Sequence, residues 1–508
     1  MFSIDLPEVL ANVEQVTKLE QLLIQRYGIS QQSLMHAAGM DSFELMCQIW
    51  PDANRIAVFC GAGNNAGDGY VLAQQAHQMQ FDVTVYYLTN PEQLNGAARA
   101  AAEACRNSGV TLTPFKVDDQ PFELDVDVIV DAILGTGLKR EVTGEFAKAI
   151  HLLNTQPAVI LALDIPSGLN ADTGARCGVA IEADVTISFL SVKQGLLTAD
   201  GLECCGTLVW SDLNVPAEAL DCLAETAVRI LEDEINWAFL PRRVNTNKGH
   251  FGHVLVVGGN YGMPGSVCLA GNSALIAGAG MVSVATRPEH VTTIVGHRPE
   301  IMCHGVTQAN ELESLCARAS VIVLGPGLGQ DMWAQDLWHY VTQLDIPMVV
   351  DADGLNLLSR NPCQKTQWVL TPHPGEAARL LGVEVADIQN DRFTAAQQLQ
   401  QLFCGTVVLK GAGSIVSAAQ EPTYVCYAGN PGMAAAGMGD LLTGIIAAFI
   451  AQGLPITRAT YLATMVHAKA GDLAALKYGE RGLLASELLP FTRQIINNKV
   501  KQDDYDEE

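Results

Sequence analysis

The chain is short of positive charge. Its 508 residues carry 30 lysines and arginines against 55 aspartates and glutamates, a formal net charge of −25. Nucleic acids and anionic membranes require basic surface for binding, so neither is an expected partner. A phosphate-bearing ligand would have to be held by local donors: helix N-termini, loop N–H groups and a few Lys or Arg. Long apolar runs are also missing. The stretch Leu441–Ala451 is apolar but falls well short of the roughly 20 residues of a spanning helix. The opening MFSIDLPEVL lacks a basic segment followed by an apolar core, so no secretory leader is expected. No CxxC spacing occurs among the 13 cysteines, which removes a zinc ribbon and a thioredoxin motif. An odd number of scattered cysteines reads as reduced thiols, the adjacent Cys204 and Cys205 as structural, and the protein as a cytoplasmic enzyme.

What remains is a chain too long for one core and rich enough in apolar residues, at 49%, to build two. The expected division is 1–225 and 241–500, a linker at 226–240 where the charge pattern shifts around Pro241, and an acidic, solvated tail at 501–508. In the first half a helix is expected over Val9–Tyr27 and another over Leu94–Ser108. Strands are expected at Arg55–Cys60, Asp82–Leu88, Val126–Asp131 and Ala158–Asp164. The second half restarts with His253–Val257. Val282–Thr286, Val321–Leu324, Met348–Asp351, Trp368–Leu370 and Thr406–Lys410 follow, and then a long apolar helix after Asp440. Short β-rich runs separated by long crossovers imply α/β domains with doubly wound, largely parallel sheets. In such sheets ligands bind beyond the carboxyl ends of the strands.

Two glycine-rich loops sit at such ends. GAGNNAGDG, Gly61–Gly69, follows the first strand but is not GxGxxG, and it carries three polar side chains, Asn64, Asn65 and Asp68. Glycine permits positive φ there, and the loop opens a helix N-terminus. Asn64 and Asp68 also suit a turn and an N-cap. Asp131 and Asp164 end apolar strands, where an Asp can simply cap the next turn. With Asn65 and Ser167 they form an oxygen-rich set suited to a hard cation. Lys139 and Arg140 are cations available to phosphates in an acidic protein. The second loop, NPGMAAAGMGD, places Asp440 at a helix start beside backbone N–H groups. It reads either as a cap or as a base acting on a hydroxyl next to a held phosphate. Prolines flank His373 in TPHPGE. Lys410–Ser414, KGAGS, offers a cation and a flexible turn without the order of a Walker A motif.

The first half resembles the YjeF N-terminal family, the NAD(P)H-hydrate epimerases, through LMHAAG, GAGNNAGDG, VDAILGTGL and ALDIPSGLNADTG. Ala66 stands where that family's loop usually has glycine. The resemblance implies a Rossmann-like domain. Potassium would be bound by Asn65, Asp131 and Ser167. The hydrated nucleotide would be contacted by Asn64, Asn65, Ala66, Gly67 and Asp68, and by Gly135, Thr136, Gly137, Leu138, Lys139, Arg140 and Glu141. Asp164 would move a proton at C6 of the damaged nicotinamide.

The second half resembles the ADP/ATP-dependent NAD(P)H-hydrate dehydratases of the ribokinase-like superfamily. NKGHFG, GPGLG, DADGLN, LTPHPGE, VLKGAGS and NPGMAAAGMGDLLTGIIA carry the match. Asn247 stands where that family often has histidine. The resemblance implies an adenine nucleotide on Lys410, Gly411, Ala412, Gly413, Ser414 and Gly439. Ser266, Gly327 and His373 would contact the hydrate, Asp440 would act as base, and magnesium would come with the nucleotide. Taken together, the halves imply a bifunctional repair enzyme for NADHX and NADPHX. It would interconvert their epimers and dehydrate the S form, with ADP favoured by the fused layout and homo-oligomers expected. The alternative is a small-molecule kinase fused to a non-catalytic binding module.

Overall fold

The computed structural model describes residues 2–116, 124–239 and 241–497. The acidic stretch 501–508 lies outside the described residues, as do 498–500 and residue 240. The chain divides into two compact units, Met1–Val228 and Arg229–Glu508.

In the first unit, the described residues form an eight-stranded sheet. Its order is Phe2–Ser3, Thr207–Ser211, Val185–Phe189, Val159–Leu163, Val128–Ala132, Arg55–Cys60, Asp82–Tyr87, Thr111–Pro114. Every pairing is parallel except that of Phe2–Ser3 with Trp210–Ser211. Such a sheet is buried on both faces, so its strands read as unbroken apolar runs. Along Arg55–Cys60 the faces alternate. Ile56, Val58 and Cys60 enter one core with helices Gln31–Ile49 and Asn64–Gln78, while Ala57 and Phe59 enter a second core with helix Gly144–Leu153. The strand order reverses between Arg55–Cys60 and Val128–Ala132, which opens a crevice beyond their carboxyl ends.

The expected helix Val9–Tyr27 is corrected at its start. Val9–Ala11 is a strand, paired antiparallel with Ala227–Val228 and parallel with Val192–Lys193, and the helix runs Val13–Tyr27. Asn12, extended at φ −87° and ψ 169°, divides the two. Its side chain accepts from Gln15 N at 2.9 Å, and the Gln15 side chain accepts from Asn12 N at 2.9 Å. This capping box fixes where helix can begin.

In the second unit nine strands of the described residues lie in the order Met302–Gly305, Met281–Thr286, His253–Val257, Val321–Leu324, Met348–Val350, Trp368–Leu370, Thr406–Leu409, Ser414–Ser417, Thr423–Cys426. The first seven are parallel; the last two join antiparallel, a hairpin the sequence reading did not anticipate. Residues 227–238 also carry structure, in the strand Ala227–Arg229 and the helix Asp233–Ala238. The apolar run after Asp440 forms helix Met438–Ala451, in which Leu441, Ile445, Ile446 and Phe449 are buried. A helix that is apolar all round belongs in the core. It packs on helix Pro264–Ile276 so closely that a Cβ at Gly444 would lie 2.0 Å from Ser273 Oγ and 2.1 Å from the Ala270 carbonyl oxygen. Among the described residues, no helix is long and apolar enough to cross a membrane.

Candidate functional site

The crevice of the first unit is a cavity of about 770 Å³. Gly61 turns the chain out of its strand hard against the next loop, where a Cβ would lie 1.9 Å from the Ile133 carbonyl oxygen. Gly63, at φ +98°, then caps helix Asn64–Gln78. The cap is therefore this glycine, and the side chains of Asn64 and Asp68 are left for other work. Both line the cavity with Asn65, Asp164, and Gly135 to Arg140. Three other predicted residues lie elsewhere. Ala66 is fully buried, a Cβ at Gly67 would strike Met35 Sδ at 2.4 Å, and Glu141 packs against Gly178.

Asp164 is held at φ +65° just past its strand. Its Oδ1 accepts from Phe189 N at 3.2 Å and from the ammonium of Lys193, with which it forms an ion pair. Lys193 is 1% exposed and donates also to Ser188 Oγ at 3.1 Å and to the Phe189 carbonyl at 2.9 Å. Both bonds to Asp164 use Oδ1, and Asp164 lines the cavity. Burial, with Asp164 and Glu20 adding repulsion, raises the Asp68 carboxyl well above its ordinary value. Glu20 is raised by burial and by Asp164. Glu20 and Lys193 were not singled out from the sequence. The one signal for Lys193 is a lysine inside the apolar stretch TISFLSVKQGLL.

Behind the cavity, Ser167 and Asp131 are wholly buried. Ser167 N and Oγ donate to Asp131 Oδ2 at 2.7 Å and Oδ1 at 2.5 Å, and Leu134 N donates to Ser167 Oγ at 2.7 Å. Asn65 Nδ2 donates to the Leu134 carbonyl at 3.0 Å, while its Oδ1 is buried with no hydrogen-bond partner among the described residues. Burial raises Asp131 to about 6 against these bonds. An orphaned buried oxygen near a desolvated carboxylate offers the oxygen donors that a hard cation takes.

In the second unit Asp440 lies in the first turn of helix Met438–Ala451, whose cap Gly437 has φ +87°. Burial, reinforced by Asp351, raises the Asp440 carboxyl to about 6, opposed by a hydrogen bond from Ser266 and by Lys410. Gly327 sits at φ +55°, and a Cβ there would lie 3.2 Å from Ser266 Cβ. Three predicted residues, Ser266, Gly327 and Asp440, therefore converge. His373 caps helix Pro374–Leu381, with Nδ1 accepting from Gly375 N at 3.0 Å and from Glu376 N at 3.3 Å. Burial lowers its pKa, against the attraction of Glu376.

Lys410 joins these groups. Its Nζ lies 2.8 Å from Asp351 Oδ1 and 3.9 Å from Glu376 Oε2, and a Cβ at Gly439 would lie 3.1 Å from it. Burial alone would depress Lys410, but Asp351 and Glu376 raise it overall. Asp351 is 2% exposed and also accepts from Thr443 Oγ1 at 3.0 Å, which ties the nucleotide loop candidates to the turn carrying Asp440. Asp351 was visible only as part of DADGLN. Ala412, Gly413 and Ser414 lie on the loop after Lys410, closed by Gly411 N donating to Ser414 Oγ at 3.3 Å.

Residues 31–195 match the family described as YjeF-related protein N-terminus, and 254–493 match NAD(P)H-hydrate dehydratase. The bifunctional NAD(P)H-hydrate repair enzyme Nnr of Coxiella burnetii is 45% identical over 96% of this chain and 99% of its own length. Its Escherichia coli counterpart is 38% identical over 99% and 97%. Among solved structures, a ribokinase-like superfamily protein of Enterococcus faecalis aligns with a TM-score of 0.50 at 26% identity, covering 54% of this chain and 97% of that one. With two α/β units, a strand-end aspartate site in each, and relatives matched along their whole length, the chain belongs to the family of bifunctional NAD(P)H-hydrate repair enzymes.

Proposed function

We propose that the chain restores hydrated NADH and NADPH, with epimerisation in 1–225 and ADP-dependent dehydration in 241–500. The observation that carries this reading is Asp440. It is a carboxylate raised to about 6 by burial, hydrogen-bonded by Ser266, at the first turn of a helix. A base with a pKa near the working pH is effective at taking a hydroxyl proton. In this reading Ser266, Gly327 and His373 hold the S hydrate. Asp440 accepts the proton of its C6 hydroxyl, whose oxygen attacks the terminal phosphorus of ADP and expels AMP. The phosphate ester then eliminates as orthophosphate with loss of the C5 proton, which restores the ring double bond. Lys410, Gly411, Ala412, Gly413, Ser414 and Gly439 take the nucleotide, and magnesium bound with it would supply charge neutralisation at the phosphates.

In the first unit, Asn64, Asn65, Asp68 and Gly135–Arg140 receive the hydrated nucleotide, supported by their place on one cavity. Asp164 moves the proton at C6, with Lys193 fixing which of its oxygens is presented. Asn65, Asp131 and Ser167 would hold potassium, which would supply a fixed positive charge near the cavity's phosphate-facing loops. Thirteen free cysteines support a reducing compartment, the cytoplasm.

The test is direct. A mixture of R and S hydrates is supplied with ADP or with ATP, and the absorbance of reduced nicotinamide is followed. Complete recovery with ADP is expected. Recovery of the S fraction alone would remove the epimerase reading, and no recovery with either nucleotide would remove the dehydratase reading.

A further inference from the structure

One of the largest fully buried side chains in the protein is an arginine. Arg392 is 1% exposed and opens helix Arg392–Phe403. A cation there is disfavoured twice. Desolvation penalises its charge, lowering its pKa to about 10, and the positive end of the helix dipole repels it. The fold accepts both costs behind one loop. Arg392 Nη2 donates toward the carbonyls of Leu409 at 3.2 Å, Lys410 at 3.4 Å and Gly413 at 3.4 Å. Nη1 donates to Gln389 Oε1 at 2.9 Å, which sets the plane of the guanidinium.

These bonds determine which way the loop's amides face. In a trans peptide, a carbonyl and the N–H of the next residue point in opposite directions. Drawing the Lys410 carbonyl inward turns the Gly411 N–H away from the guanidinium, where it donates to Ser414 Oγ at 3.3 Å and closes the loop. The buried positive charge behind the loop adds long-range attraction for an anion held in front of it. The approach is close enough to dictate sequence. Gly411 has φ +145°, and a Cβ there would lie 2.7 Å from Arg392 Nη1.

We propose that Arg392 is a positioning residue for the adenine nucleotide: its guanidinium fixes the carbonyls of Lys410 and Gly413, and so holds the loop 411–414 in the conformation that the ligand meets. Arg392 touches no reacting atom. The proposal rests on reading Lys410–Ser414 as the nucleotide loop, and it adds the group that shapes that loop.

The experiment uses the full-length protein, with ADP binding measured by titration calorimetry and with KM for ADP and for the S hydrate measured separately. In Arg392→Gln, Kd and KM for ADP rise by about tenfold or more while KM for the hydrate stays within about twofold. A merely structural arginine would lower the active fraction and leave both KM values alone. Arg392→Lys keeps the charge without the planar fork and recovers part of the loss. Should Arg392→Gln not fold, Arg392→Lys and Gln389→Ala carry the test, each with an expected rise of about threefold in KM for ADP. ADP affinity within twofold of wild type in the folded variants overturns the proposal, as does an equal rise in both KM values. Failure of the wild-type chain to bind ADP or ATP would instead sink the dehydratase reading, and this proposal with it.

Discussion

Lys193 and Asp164 form an ion pair on the wall of the first unit's cavity, the lysine 1% exposed and the aspartate 19%. The pairing uses Asp164 Oδ1 together with Phe189 N, so the carboxylate cannot rotate freely. Replacing Lys193 by Met should therefore cost proton transfer more than binding. Epimer interconversion, followed by chromatography of purified R hydrate, is expected to fall by about 10²-fold or more. Dehydration of purified S hydrate by the same variant should be unchanged. An epimerase rate within a few-fold of wild type would remove the lysine from the mechanism.

The dehydratase should show an acidic limb. Asp440 must be ionised to accept a proton, and burial raises it to about 6. kcat/KM for the hydrate then holds above that value and falls about tenfold per pH unit below it. Asp440→Asn should remove the limb together with about 10²–10⁴-fold of the rate. A rate that stays flat well below pH 6 would show that another group is the base.

Potassium should compete with protons at Asp131. The carboxylate is raised to about 6 and lies beside the orphaned Asn65 Oδ1. A cation bound there stabilises the folded unit by about 2.7 kcal/mol at a hundredfold excess over Kd. The melting temperature should therefore climb with potassium chloride at neutral pH, beyond the effect of equal ionic strength from a larger cation. The increment should fade as pH drops through about 6, because protonated Asp131 is a poor ligand. Asp131→Asn should lack it at every pH. Equal shifts in wild type and variant would place the ion elsewhere.

Gly444→Ala tests the packing under the second site. Its new methyl would lie 2.0 Å from Ser273 Oγ and 2.1 Å from the Ala270 carbonyl, and the Ala270 backbone cannot yield cheaply. Overpacking of this kind costs about 1–3 kcal/mol, read as a lower denaturant midpoint with a fall in dehydratase kcat. Gly296→Ala is the control, because a Cβ there meets nothing within 4 Å. Equal midpoints for the two variants would contradict the contact.

Central strands were legible because burial on both faces leaves no alternative to apolar residues. Arg55–Cys60, His253–Val257, Val321–Leu324 and Trp368–Leu370 were read to the residue. The start of the first helix was misjudged because Val9–Ala11 gains its pairing from Val192–Lys193 and Ala227–Val228, far away in sequence. Candidate site residues could be named from the sequence where they sit on a turn with its own signature, as at Asn65, Asp164, His373 and Asp440. The sequence offered no such signature at Glu20, Lys193, Asp351 or Arg392. Each of these side chains acquires meaning only through partners that folding brings to it, and a lone charged residue in an apolar stretch does not say whom it meets.

The helices that carry Ser266 and Asp440 touch backbone to backbone one turn below those residues, at Ala270 and Gly444. Side chains usually absorb small errors of spacing by changing rotamer; a carbonyl oxygen against a bare α-carbon cannot. The spacing between Ser266 and Asp440 is thus gauged by two main chains. Divergence has little room at Gly444, since a methyl group there would push the two helices, and with them these two side chains, apart.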